Sequence, residues 1–216
     1  MSATVDEHFI RHDDVELYVR LRVVDPTQPT VVLLCGLGFH TFEYEPPAIQ
    51  LAARGINTVS FDYRGHGRSS GPRGRWSLDD LAYDTTSVID HARRGGLSHV
   101  HVVGNSLGGM VAVLAGVRDP EIASVVAVNT PAHVAEFLLN GPRRVLYSVA
   151  LKASKLVSIR ISVNHFYRYE DLTINAALTE RVRRDHTITN ARRLAIPTYR
   201  ELLDTWDGPA MVRDLH

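Results

Sequence analysis

The run Thr30–Cys35 (TVVLLC) is apolar almost throughout, and this constrains the fold more than any other feature of the chain. A short strand without polar alternation has to be covered on both faces, which a parallel sheet flanked by helices provides. Asn57–Phe61 (NTVSF), His99–Val103 and Ile122–Val128 read as further buried strands of the same kind. Helical stretches separate them: Phe42–Arg54, a helix capped by Ser77 with Asp80 in the capping-box position, and Ser106–Arg118. The second of these buries Leu78, Leu81, Val88, Ile89 and Ala92 and stops at Gly95-Gly96. Such strand–helix alternation predicts an α/β fold, a mostly parallel sheet with helices on both faces. Ahead of it, Val15–Val24 alternates polar and apolar residues and is expected to pair antiparallel with Glu7–His12.

The chemistry is concentrated in Gly104-Asn105-Ser106-Leu107-Gly108-Gly109. G-x-S-x-G alone is a weak pattern. Between a buried strand and an apolar helix it becomes a nucleophile elbow, a sharp turn that presents a serine at the end of the sheet. Gly104 and Gly108 are needed because side chains would clash across such a turn. The helix behind Ser106 aims its amides and positive dipole end at a developing oxyanion. Cys35-Gly36-Leu37-Gly38 follows the strand expected beside the elbow strand, and the two oxyanion donors are assigned to the backbone N–H groups of Leu37 and Leu107. Neither side chain needs to be polar for that role.

With these motifs the chain resembles the α/β-hydrolase superfamily, in particular its lysophospholipase/monoacylglycerol-lipase-like esterase branch. The resemblance is carried by CGLG at 35–38, by Phe61-Asp62-Tyr63-Arg64-Gly65-His66-Gly67-Arg68-Ser69 with the following Gly71-Pro72-Arg73-Gly74, and by GNSLGG at 104–109. It implies a serine hydrolase acting on small esters or acyl lipids through an acyl-enzyme on Ser106, without metal or cofactor. It also implies that Asp62, Arg64 and His66 brace a loop rather than take part in chemistry. Cys35 stands where the family has histidine and is expected to be a small buried residue. Serine at the elbow argues against the branches that use aspartate there. Hydrolysis of carbon–carbon bonds in ring-cleavage products, and a non-catalytic hydrolase-like binding protein, stay open as alternatives.

In this fold the acid and the histidine follow the serine along the chain, each after a later strand. Here the sequence ends at Asp214-Leu215-His216, where the family would be about to enter the next strand. At the alternative acid position stands Asn129, which carries no charge. His40, His133, His165 and His186 are expected to be packing or surface residues. Either the fold is C-terminally incomplete in this chain, or the chain is a natural degenerate product. Ala123–Val128 lacks the charge or proline that blunts an exposed sheet edge, which favours the first reading.

Residues 1–131 therefore read as the amino-terminal part of the core, 132–207 as an inserted helical cap, and 208–216 as the start of the return to the core. Formal net charge is zero, so nothing global favours nucleic acid or another polyanion. Residues 141–200 nevertheless hold 12 Lys and Arg against 4 Asp and Glu. There Arg144, Ser148, Lys152 and Lys155 share one helical face, opposite Leu146, Val149, Ala153, Leu156 and Val157. That face reads as solvated, with weak peripheral contact to anionic lipid as the sharper alternative. One cysteine, a polar amino terminus and no long apolar run lead to the expectation of a cytoplasmic protein.

Overall fold

Polar–apolar alternation at the amino terminus produces a long hairpin. β1 (Thr4–His12) pairs antiparallel with β2 (Val15–Val23), from Thr4 opposite Val23 to His12 opposite Val15. The structure, a computed structural model, describes residues 3–134, 160–162, 180, 184 and 193–215. The rest of the central sheet consists of β3 (Pro29–Leu34), β4 (Asn57–Phe61), β5 (Ser98–Asn105) and β6 (Ser124–Val128). The spatial order is β1-β2-β4-β3-β5-β6, and all pairings beyond β4 are parallel.

Coverage on both faces explains the apolar run Val31–Leu34 of β3. Val31 and Leu33 point to one face, where they pack with Ala48 of α1 (Glu45–Ala52). Val32 and Leu34 point to the other, into the main core with α2 (Leu78–Arg94) and α3 (Leu107–Arg118). α2 starts with the expected capping box: Asp80 N–H donates to Ser77 Oγ at 2.9 Å, and Ser77 N–H donates to Asp80 Oδ2 at 2.8 Å. Leu78, Leu81, Val88, Ile89 and Ala92 are all buried on its inner face. The expected helix from Phe42 is divided into a 3₁₀ turn at Thr41–Tyr44 and then α1, which carries the two prolines at positions 46 and 47 in its first turn.

The segment 132–207 is not helical alone. Arg160–Ser162 (β7) and Arg193–Ala195 (β8) form a small antiparallel sheet, with α4 (Ile196–Thr205) directly after it. Strands of three residues carry no readable period, which is why a helical reading missed them. The two ends of this segment meet: Gly208 N–H donates to Ala132 O at 3.0 Å, and Trp206 Nε1–H donates to Pro131 O at 2.7 Å. The basic face at Arg144, Ser148, Lys152 and Lys155, its apolar counterpart, and His165 and His186 lie outside the described residues. After the segment, α5 (Gly208–Arg213) runs beside α3, and Leu215 reaches Gly116. No helix of the described residues is long and apolar enough to cross a membrane.

β6 is the last strand of the sheet among the described residues. Val125 faces α3 at Gly116, whereas Val126 and Val128 point the other way and are 47% and 48% exposed. Replacing both by lysine should therefore raise the solubility of the 216-residue chain. It should leave the melting temperature within about 2 °C, since exposed substitutions change stability by roughly 0.5 kcal/mol or less. Size-exclusion recovery and thermal melts check this; a much larger drop in melting temperature would mean that this face is covered.

Candidate active site

β5 and α3 meet at a turn of unusual geometry, and Ser106 occupies it. Its backbone has φ 54° and ψ −116°, a region that L-residues rarely enter and that costs of order 1–3 kcal/mol. Contacts on both sides hold the turn. Ser106 N–H donates to Val128 O at 2.9 Å, while Gly109 and Met110 N–H donate to Ser106 O at 3.0 and 3.3 Å. A Cβ on Gly104 would lie 2.0 Å from Gly108 O, and one on Gly108 would lie 2.2 Å from Leu34 O. Gly109 is confined as well, since a Cβ there would stand 1.8 Å from Thr130 Oγ1. Glycine is thus required by backbone crowding at Gly104 and Gly108, and by the Thr130 side chain at Gly109, where β5 turns into α3 and Ser106 stands at the carboxyl end of the central strands.

Cys35-Gly36-Leu37-Gly38 leaves β3 beside this turn. Gly36 lies against Asn105, at 3.5 Å from both its Nδ2 and its carbonyl oxygen when a Cβ is placed on the glycine. The Tyr44 phenol lies beside Gly36 N–H and the Asn105 amide, between the loop and the turn at Ser106. Burial pushes this phenol well up, which keeps it neutral. Among the described residues, neither Leu37 N–H nor Leu107 N–H donates a hydrogen bond. Cys35 is buried and unbonded to another cysteine, and burial raises its thiol far from the reactive thiolate form.

The Phe61–Ser69 loop lies next to this region and is organised by buried polar groups. Asp62 accepts from Thr41 N–H at 2.7 Å and from Arg68 N–H at 2.8 Å, and burial raises its carboxyl. Arg64 forms a two-pronged pair with Asp84 of α2, both contacts at 2.7 Å, with Asp80 at 3.3 Å. Burial raises the Asp84 carboxyl, and the Arg64 guanidinium opposes that rise. His66 is fully buried between Tyr63 and Trp76, with Nδ1 at 3.1 Å from Arg64 O. Sequence reading missed Asp84, although an aspartate on the buried stripe of α2 between Leu81 and Val88 signals a buried partner. The following GPRG has a packing reason too. Gly74, at φ 68°, lets the β8 backbone approach so closely that a Cβ would be 2.0 Å from Arg193 O, and it accepts a 2.7 Å bond from Ala195 N–H.

Ser106 Oγ has no hydrogen-bond partner among the described residues, so no described histidine is joined to it. The His40 side chain is 3.2 Å from Glu43, and His133 forms an isolated antiparallel backbone bridge with Asp207.

Residues 25–208 match the hydrolase family described as serine aminopeptidase, S33. RutD of Caulobacter segnis, which carries a carbamate-hydrolase name, is 35% identical over 102 residues, 46% of this chain and 37% of that protein. The monoacylglycerol lipase of Mycolicibacterium smegmatis is 31% identical over 128 residues, 58% of this chain and 45% of its own. The matched segments thus span well under half the length of these relatives. Among solved structures, the monoacylglycerol lipase of Paleococcus ferrophilus superposes with a TM-score of 0.70 at 24% identity, covering 92% of this chain and 71% of that one. The architecture is the α/β-hydrolase fold.

The Phe61–Ser69 loop carries a pH signature. Burial pushes His66 down to about 4 from 6.5. Between these values the unfolded chain binds the extra proton, so stability falls as pH drops from about 6.5 towards 4, by at most about 3 kcal/mol, and is unaffected above. The raised Asp62 and Asp84 act in the opposite sense, because their folded state holds protons more readily. Comparison with His66→Asn cancels their contribution. In urea melts the variant should lose less stability than the parent between pH 7 and 4.5; parallel curves would show that His66 is not buried neutral.

Proposed function

The chain belongs to the serine aminopeptidase S33 family of hydrolases, and from that premise we propose that it is a serine hydrolase cleaving carboxylic esters through an acyl-enzyme on Ser106. The observation that carries this reading is the strained backbone of Ser106 between β5 and α3, at φ 54°, where surrounding glycines leave no room for side chains. A serine is held in such a conformation only where the surrounding structure over-determines it, and such strain clusters at functional sites.

In the proposed reaction Ser106 Oγ attacks the ester carbonyl and forms a bond to carbon while its proton passes to an imidazole base. The resemblance expects that base, and the acid that orients it, downstream of this chain. The carbonyl π electrons move to oxygen, and the Leu37 and Leu107 N–H groups stabilise this oxyanion. Collapse expels the alcohol, which takes the proton, and water then releases the acid by the same route in reverse. Supporting this assignment, neither amide donates a hydrogen bond among the described residues, and Tyr44 lies between Gly36 and Asn105; preorganised donors need no reorganisation during reaction. Residues 132–207 read as a cap over the strand ends, on the ground that their two ends meet at Ala132 and Gly208. Small esters or acyl lipids are the substrate class, with acyl-lipid substrates favoured by the monoacylglycerol-lipase relative.

The test uses p-nitrophenyl butyrate, the matching p-nitroanilide and a fluorophosphonate probe. Extended by its native downstream sequence, the protein should hydrolyse the ester well ahead of the anilide and be labelled at Ser106, and Ser106→Ala should abolish both. The 216-residue chain alone should stay near background, because losing the base costs on the order of 10⁴–10⁶ in rate. Ser106-dependent turnover by the short chain would place the base among its own histidines. Absence of labelling in the extended protein would overturn the assignment of Ser106.

A further inference from the structure

Away from the elbow, two histidines 83 positions apart meet where the amino-terminal hairpin crosses α2. His8 of β1 and His91 in the last turn of α2 bring their Nε2 atoms to 2.9 Å, with ring planes inclined at 53°. On its far side the His8 ring is held by Asp6, whose Oδ2 lies 3.0 Å from Nδ1. The geometry points to a surface site for a divalent transition-metal ion, in which the two Nε2 atoms are adjacent ligands and bound metal staples β1 to α2.

Distance and tautomer both bear this out. With metal–nitrogen bonds of about 2.0–2.1 Å, a nitrogen separation of 2.9 Å corresponds to a ligand–metal–ligand angle of about 90°. That is the angle of adjacent positions in square-planar or octahedral coordination, the preference of Cu²⁺ and Ni²⁺. Tetrahedral Zn²⁺ requires the two nitrogens to open to about 3.3 Å. The Asp6 carboxylate draws the His8 proton to Nδ1 and leaves the Nε2 lone pair free, the arrangement by which carboxylates orient metal-binding imidazoles. Without metal, His91 then donates its Nε2 proton to His8. With metal, that proton moves to His91 Nδ1, so no net proton is released from the neutral pair. Arg94 stands close enough to repel an incoming cation, and Asp6 offsets it. Among the described residues no group of three or more potential ligands converges, so the remaining positions belong to water and affinity should be moderate.

The experiment uses the untagged 216-residue chain, stripped of metal and titrated with CuCl₂, NiCl₂ and ZnCl₂ at pH 7.5 by calorimetry and thermal melting. One equivalent of Cu²⁺ or Ni²⁺ should bind, ahead of Zn²⁺, and raise the melting temperature by roughly 5 °C at saturation. His8→Gln and His91→Gln should each remove this shift, and Asp6→Asn should weaken binding about 10–100-fold. His99→Ala and His101→Ala should leave it intact. Because a variant can alter the metal-free melting point, the quantity compared is the metal-induced shift within each protein. A shift that persists in the His8→Gln/His91→Gln double variant, or no binding of any of the three ions at 1 mM, overturns the site.

Discussion

Three backbone segments meet within van der Waals distance where β5 turns into α3, and this crowding sets the rest of the site. The end of β3 touches Gly108, the start of α3 touches Gly104, and Thr130 touches Gly109. A Cβ position is fixed by its own backbone, so no rotamer can relieve an added methyl group 2.0–2.2 Å from a carbonyl oxygen. The parallel register of β3 and β5, from Thr30 opposite Val100 to Leu34 opposite Gly104, delivers the Cys35–Gly38 loop to the same corner. Ser106 is then forced outward at positive φ, with its amide committed to Val128 of β6. Strain at one residue is sustained by the packing of the glycines around it.

Buried charge does for the neighbouring loop what glycine does for the elbow. From Tyr63 to Ser77 the chain forms no helix or strand, so its shape depends on side-chain contacts. Asp62 gathers the amides of Thr41 and Arg68, and Arg64 reaches across to Asp84 on α2. A buried ion pair contributes little net stability against an apolar replacement, but removing one partner costs about 3–5 kcal/mol, since the other charge is left uncompensated. Such pairs therefore specify a conformation more than they stabilise the fold. His66 adds an aromatic plate between Tyr63 and Trp76, which burial keeps neutral.

What was legible in the sequence follows from range. The β3 run, the hairpin, the Ser77 cap and the glycine spacing around Ser106 are local patterns with direct physical causes. Asp62, Arg64 and His66 were readable as a loop only through family resemblance, and the partner that gives Arg64 its place lies 20 residues on. The contact of Gly74 with Arg193 spans more than a hundred residues, and the His8–His91 pair spans 83. No periodicity encodes such meetings; only the winding of the sheet brings them together. β7 and β8 escaped for another reason, since three residues are too few for a period of two to be distinguished from a helical one.

The two ends of the sheet are built by different rules. At the β1 end, Asp6, Glu7 and Arg11 place charge along the strand, and Glu7 is paired with both Arg20 and Arg68. Charge of this kind protects an edge strand from joining another sheet. At the β6 end, Ser124–Val128 holds no charge and no proline, and Val126 and Val128 are about half exposed. The valine-rich run of β6 is like Val31–Leu34 of β3 and Val102-Val103 of β5, strands with neighbours on both sides. An uncharged edge is tolerable when a further element lies against it, and its apolar residues then add to the core instead of exposing it. β6 also fixes Ser106 through Val128 and confines Gly109 through Thr130 just beyond it. Whatever steadies this strand therefore steadies the turn, and the position of Ser106 depends on the edge as much as on the glycines.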